Sequence, residues 1–184
     1  MKLLTVFMAL SASLACQAEV TTVSSYAGQE SREVKALSPE DVQAYLSGKG
    51  MGLAKAAELK GCPGPSHVLA LSAQLGLTPE QQKQTEALFA SMEANAVSVG
   101  APLVEEERKL DRLFATKSIT PELLASSLER IAQLQAKVRT AHLEAHLAQV
   151  RILSPEQVAL YMQLRGYSSN EPILHHEHHQ HSGG

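Results

Sequence analysis

The phrase Leu-Thr-Pro-Glu-Gln at residues 77–81 returns as Leu-Ser-Pro-Glu-Gln at 153–157. Looser copies stand at Leu37-Ser38-Pro39-Glu40-Asp41 and Ile119-Thr120-Pro121-Glu122. Each copy sets a hydroxyl residue directly before Pro-Glu. Ser or Thr is a favoured helix N-cap, because its oxygen accepts a bond from an N–H of the first turn that has no partner inside the helix. Proline suits the next position, where its fixed φ is helical and its missing N–H is not needed. The acidic residue then faces the positive end of the helix dipole. Gln81 and Gln157 fall at the third helical position, where a side-chain amide can close a capping box. The phrase therefore predicts four helix starts, near residues 39, 79, 121 and 155. Ser38, Thr78, Gln81, Thr120, Ser154 and Gln157 are the structural cap residues.

The stops agree with the starts. Gly48 and Gly166 follow the first and last segments, and Gly76 closes a short helix expected at 67–75 with Ser66 as its cap. Between Gly48 and Ser66 lies a short helical piece framed by glycine and proline. Two long segments dominate, 79 to about 116 and 121 to about 150. In the first, Leu88, Met92, Ala96, Val99, Leu103, Leu110 and Leu113/Phe114 recur at helical spacing. In the second, Leu124, Leu128, Ile131, Leu134, Val138, Ala145 and Ile152 do the same. Gly100-Ala101-Pro102 is expected to bend the first. Only Lys117 to Thr120 separates the two, which predicts an antiparallel helical hairpin. No strand pattern occurs. The fold class is all-α: a long hairpin with short N-terminal helices and a short C-terminal closing helix. The expected organisation is a signal peptide at 1–18, an N-terminal extension with short helices at 19–66, the hairpin domain at 67–167 and a disordered, histidine-rich tail at 168–184.

Lys2 followed by the apolar run Leu3–Leu14 reads as a secretory signal peptide, with Cys16-Gln17-Ala18 at the cleavage site. A lipoprotein anchored at Cys16 is the alternative, opposed by Ser13 where a lipobox has leucine. The run is too short to cross a bilayer and the sequence suggests no other stable span. Loss of Lys2 leaves 15 basic and 19 acidic residues, a charge of -4, and no basic patch for nucleic acid. With Cys16 removed, Cys62 stands alone, so no internal disulfide framework is available.

A secretory signal, a long helical hairpin and the phrases at 77–81 and 153–157 flanking it together resemble the Spy/CpxP superfamily of bacterial periplasmic proteins. That group includes zinc-resistance-associated proteins and CnrX-type heavy-metal sensors. The resemblance covers about residues 67–166, and the upstream stretch through Gly50–Leu59 and Cys62–His67 resembles a heavy-metal-resistance subgroup. It implies an ATP-independent periplasmic stress protein that binds transition metals or holds unfolded client proteins. It also implies a homodimer formed through the long hairpins, and no hydrolase or redox activity.

His142 and His146 stand four residues apart on the second long helix, a spacing that brings two imidazoles to one face where they can share a metal. Both border the apolar stripe, expected opposite Asn95 and Met92. The competing reading is two polar residues flanking the core. The spacing is not that of a zinc protease, because Glu144 is displaced by one position. His67, after Cys62-Pro63-Gly64-Pro65, is a third candidate ligand or a helix-end residue. Cys62 is a buried thiol, a soft ligand for copper(I) or a cross-link between chains. His175, His176, His178, His179 and His181 form a tail cluster suited to loose capture of zinc, nickel or copper, and its interruption by Glu177 and Gln180 argues against a purification tag. The run Glu105-Glu106-Glu107 reads as a solvated helix face. Leu143 and Leu147 lie off the main stripe and are candidates for a client or dimer surface. No nucleophile set, phosphate loop or carboxylate pair is present, so the chain is not expected to be an enzyme.

These features combine into a soluble periplasmic metal-binding protein of heavy-metal or envelope stress, taking zinc, copper, nickel or cobalt and no organic cofactor. The alternatives are an ATP-independent holdase chaperone and a helical adaptor for a membrane sensor protein or an efflux component. Removing a cap hydroxyl costs about 1 kcal/mol. Thr78→Ala and Ser154→Ala should therefore each lower Tm, while Thr78→Ser should leave it nearly unchanged; Ala variants that melt with the wild type would refute the cap assignment.

Overall fold

The computed structural model describes residues 23–167; the expected signal peptide with Cys16 and the tail histidines His175, His176, His178, His179 and His181 lie outside them. The chain divides into two compact units between Ser31 and Arg32. In the first, the Ala27 and Gln29 N–H groups donate to the Ser24 and Tyr26 carbonyls, each at 3.0 Å. Among the described residues, the second unit contains seven helices and no strand: α1 (Pro39–Leu46), α2 (Lys55–Glu58), α3 (Pro65–Ala70), α4 (Ser72–Leu75), α5 (Pro79–Ala115), α6 (Pro121–Ile152) and α7 (Pro155–Leu164). The fold class is all-α. Helices α5 and α6 pack together as the antiparallel hairpin, and α1 and α3 lie against α5.

All four helix starts form as their side-chain chemistry dictates. Thr78 Oγ1 accepts from the Gln81 N–H at 3.1 Å, and Gln81 Oε1 accepts from the Thr78 N–H at 3.1 Å. Ser154 and Gln157 repeat the box at 3.2 and 2.9 Å, and Ser38 with Asp41 closes a third at 3.0 and 3.1 Å. Thr120 caps α6 through the Leu123 N–H at 3.2 Å, but a leucine at the third position cannot bond back.

The two glutamines also bind each other. Gln81 Nε2 donates to Gln157 Oε1 at 2.8 Å, and Gln157 Nε2 donates to Gln81 Oε1 at 3.0 Å. Gln81 Nε2 also reaches the Ile152 carbonyl at 2.9 Å, and Gln157 Nε2 the Leu75 carbonyl at 3.2 Å. Each carbonyl belongs to the segment entering the other glutamine's helix. The repeated phrase thus ties the open end of the hairpin across itself. Beside it, Gln149 Nε2 donates to Thr85 Oγ1 at 3.1 Å, and Thr85 Oγ1 donates to the Gln81 carbonyl at 2.8 Å.

Two apolar clusters flank this region. Val68, Leu75, Leu153 and Tyr161 form one at the open end, with Leu71, Leu77, Val158 and Met162 against it. Leu103, Ile131, Leu134 and Val138 form the other in the middle of the hairpin, with Tyr45 and Leu53 brought in by the N-terminal segment. Helix α1 crosses α5 so closely that a Cβ at Gly100 would overlap the Tyr45 carbonyl, so only glycine fits there.

Several expectations are corrected. The helix expected at 67–75 is two helices. Its first residue is Pro65 and its cap is Gly64, so Ser66 lies inside the first turn and does not cap. Leu128 is exposed and Ser127 takes the inward place, one residue away. Glu107 is not on a solvated face: it is 7 % exposed, and burial, with Asp111 beside it, pushes its carboxyl above the usual range. The Gly100-Ala101-Pro102 stretch does not end the helix, since α5 continues through Pro102. The sequence suggests no stable span, but among the described residues one helix, α5, is long and apolar enough to cross a bilayer by length and composition, and its residues 87–104 carry one charge, Glu93. Its Met92, Ala96, Leu103 and Val104 are buried within the helical assembly.

The reciprocal amide pair should be visible as energetic coupling. Contacting side chains in one network couple by about 0.5–3 kcal/mol. A double-mutant cycle of Gln81→Ala and Gln157→Ala in urea unfolding should fall in that range; strictly additive losses would show that the cross-bonds contribute nothing.

Candidate functional site

Along α6 the inward positions run Ile131, Leu134 and Val138, then His142 and His146, then Gln149 and Leu153. The two histidines therefore fall in the gap between the apolar clusters. There the turn-rich loop 47–52 and helices α2 and α3 come over the hairpin and enclose a cavity of about 800 Å³. Met92, Phe89 and Glu93 of α5 line one side, His142 and His146 another, and Gly50, Met51, Glu58 and His67 the N-terminal side; Tyr167 stands on the wall after α7. Met92 is thus on the histidines' cavity as expected, whereas Asn95 is exposed and is not on its wall.

Glu58, the last residue of α2, organises the site. It is 7 % exposed. Its Oε1 accepts from the Tyr161 hydroxyl and lies 3.2 Å from His67 Nδ1 and 3.6 Å from Arg165 Nε. Its Oε2 accepts from the Gly64 N–H at 3.2 Å and stands 3.8 Å from His146 Nδ1. Burial of a carboxylate is tolerable when donors and positive charge surround it, and these contacts supply both. Burial and the bond to Glu58 push the Tyr161 hydroxyl far above its usual range.

The two α6 histidines differ. His146 Nδ1 is 2.6 Å from the Cys62 carbonyl. A carbonyl only accepts, so Nδ1 carries the proton and the ring's lone pair is on Nε2. Gly64 packs on this ring: a Cβ there would stand 2.7 Å from Nε2. His142 is 4 % exposed, and its Nε2 is buried without a hydrogen-bond partner among the described residues. Burial, and secondarily the neighbouring His146, push its pKa down, which keeps the ring neutral. Gly50 leaves its ring room, a Cβ there being 3.7 Å from Nδ1.

The three described histidine candidates, His67, His142 and His146, thus line one cavity, and Glu58 links His67 to His146. Among the described residues, however, no three His, Cys, Asp or Glu side chains converge on one point where a metal could be held. Cys62 is a free cysteine, half-buried, and joins the site through its carbonyl. Leu143 is half-buried and Leu147 is 55 % exposed. Sequence reading missed Glu58, Tyr161 and Arg165, because an isolated acid in a four-residue helix carries no periodic or motif signal.

Loss of Glu58 would strand the Tyr161 hydroxyl and the Gly64 N–H, and each buried unpaired donor costs about 1–3 kcal/mol. Glu58→Ala should therefore destabilise the fold by about 3 kcal/mol in urea unfolding, more than a cap variant, with Glu58→Gln in between because it keeps an acceptor. A Glu58→Ala protein as stable as the wild type would remove Glu58 as the organising group.

The model of the heavy-metal resistance family matches residues 50–159, from the loop against His142 to the first half of α7. No curated protein and no solved structure matches the chain. The family match spans more than half of the chain and contains α5, α6, His67, His142, His146 and both glutamines of the clasp. The chain belongs to the heavy-metal resistance family, within the Spy/CpxP-like group of helical periplasmic proteins, and its function is related to heavy-metal resistance.

Proposed function

We propose that this chain is a periplasmic metal-binding protein of the heavy-metal or envelope stress response, and that His142 and His146 take one transition-metal ion, zinc, copper, nickel or cobalt. The observation that carries this reading is the orphaned Nε2 of His142. A buried polar atom without a partner is costly, and a bound cation would satisfy it. The surroundings suit an ion. His146 donates its Nδ1–H to a backbone carbonyl, as metal-ligating histidines commonly do, which fixes the ring and leaves Nε2 to bind. Met51, Met92 and Glu58 line the same cavity. Imidazole and thioether donors favour zinc, copper, nickel or cobalt over magnesium or calcium. Bound there, an ion would join α6 to the wall of the cavity and couple metal occupancy to the packing of the N-terminal segment. Export by the signal peptide and a homodimeric assembly are parts of the same proposal, supported by the apolar run Leu3–Leu14 and by the family membership.

A second reading, an ATP-independent holdase, is favoured by exposed Leu147, Leu160 and Leu164, which give the outer faces of α6 and α7 apolar surface.

Calorimetric titration with zinc distinguishes the two. At pH 7.5 the protein lacking residues 168–184 should bind about one ion per chain or per dimer, and His142→Ala/His146→Ala in that background should abolish binding. Imidazole must be neutral to coordinate, so affinity should fall at pH 5.5. If the tail-deleted protein binds no metal at pH 7.5, the α6 pair is packing only and the holdase reading replaces this one.

A further inference from the structure

The cavity beside His142 and His146 is larger than an ion needs. A water molecule's share of the liquid is about 30 Å³, so an ion with a few waters fills a small part of its volume of about 800 Å³. Sites for small molecules run from about 300 to 1,000 Å³ and combine an apolar wall with a few convergent polar groups. Here Phe89, Met92 and Leu59 supply the apolar wall. Zinc and its neighbours take four or more ligands, yet among the described residues no three His, Cys, Asp or Glu side chains converge on one point. An ion on His142 and His146 therefore keeps open positions, inside a cavity with room for what fills them.

The loop over His142 sets the charge of that occupant. A Cβ at Gly50 would stand 3.7 Å from His142 Nδ1, so the backbone of the loop lies on the ring. Lys49 is the preceding residue and lines the cavity. Lys55 lines it too, and its Cε lies 3.8 Å from where a Cβ on Gly52 would stand, so its side chain runs back along the same loop. Among the described residues neither lysine has an ion-pair partner. Of the two acids on the wall, Glu58 is taken by Tyr161, Gly64 and Arg165, which leaves Glu93 alone against two ammonium groups. The surplus on this wall is positive. The loop is also strained: Met51 has a φ of 45°, in the left-handed region that residues other than glycine rarely adopt. Strain of this kind collects at ligand clamps.

We propose that the cavity takes its metal as an anionic chelate: a small polycarboxylate or hydroxycarboxylate fills the coordination positions that His142 and His146 leave open, and its remaining carboxylate pairs with Lys49 and Lys55. The inference rests on the α6 metal site proposed above and names what shares the ion with it. The imidazoles select the metal, and the lysines select negative charge on its companion. Metal and chelator then bind cooperatively, because each completes the other's site and the coupling is reciprocal.

The test is retention of radiolabelled citrate at pH 7.5, measured by equilibrium dialysis with and without equimolar zinc. The parent protein is the full-length chain with His175, His176, His178, His179 and His181 changed to glutamine, so that zinc on these residues does not carry citrate. Zinc should raise the parent's citrate affinity about tenfold or more. Lys49→Gln/Lys55→Gln in the parent should lose that gain while its zinc affinity without citrate stays unchanged; both lysines are exposed, so this variant should fold as the parent does. His142→Ala/His146→Ala should lose both. Citrate that withdraws zinc from the parent and is not itself retained would overturn the inference and leave the α6 site standing. Retention that is equal without zinc, or unchanged in the lysine variant, would overturn it too. A His142→Ala/His146→Ala protein that binds zinc like the parent, with the parent's circular dichroism, would instead overturn the α6 site itself.

Discussion

The amides of Gln81 and Gln157 meet at the open end of the hairpin, and the register of the whole molecule hangs on that meeting. Each side chain works twice. Its oxygen closes the cap of its own helix, and its nitrogen joins the other glutamine and a carbonyl leading into the other helix. Both amides therefore have their donors and acceptors filled in a half-buried place where an unfilled one would be costly. A slip of α6 along α5 would break all of these bonds together. With the register fixed, the turn of α6 that carries His142 and His146 faces Met92 and Phe89, and Gln149 faces Thr85.

The second constraint is vertical to the first. Helices α5 and α6 alone leave the histidines on an open groove. The segment from Gly48 to Gly64 closes it, and Glu58 holds that segment down by reaching Tyr161 and Arg165 at the far end of the chain. The closure is polar where it meets the histidines and apolar where Leu53 and Tyr45 join the mid-hairpin cluster. Two glycines set how near it comes. Gly100 lets α1 sit on α5, and Gly64 lets the loop before α3 lie on the His146 ring. The site is therefore assembled from three distant parts of the chain, and each is fixed by a contact other than the histidines themselves.

How much of this the sequence displays follows from the range of each interaction. Caps act between residues three apart, so Ser38, Thr78, Thr120 and Ser154 are legible from short phrases, and the hairpin follows from two long periodic stretches. The crossing of Gln81 with Gln157 spans 76 residues, and the bond of Tyr161 to Glu58 spans 103. Nothing local marks either. The errors have the same origin. Ser66 looks like a cap, but Gly64-Pro65 starts the helix earlier, because proline at the first position and the Glu58 bond to the Gly64 N–H already serve that end. Leu128 looks inward on a helical wheel, but Ser127 takes the buried place instead. Glu107 looks like part of a charged face until the N-terminal segment covers it. The pair His142 and His146 is visible at spacing four, yet the closeness of His67 depends on Glu58, which no periodicity predicts.

Two buried polar side chains of α6 end in an atom without a partner among the described residues, His142 at Nε2 and Gln149 at Oε1, and they are not equivalent. Gln149 is fully enclosed, lies off the cavity wall and is already held by its bond to Thr85. Its stranded oxygen is a local loss of stability within the layer that sets register. His142 stands on the wall of the cavity, beside a second imidazole whose proton position is fixed, and burial keeps it neutral. A neutral imidazole nitrogen is a good ligand for borderline metals, whereas an amide oxygen is a ligand for hard ones. The same physical deficit is therefore structural at Gln149 and chemical at His142. That difference is why the metal reading attaches to one turn of α6 and not to the polar layer next to it.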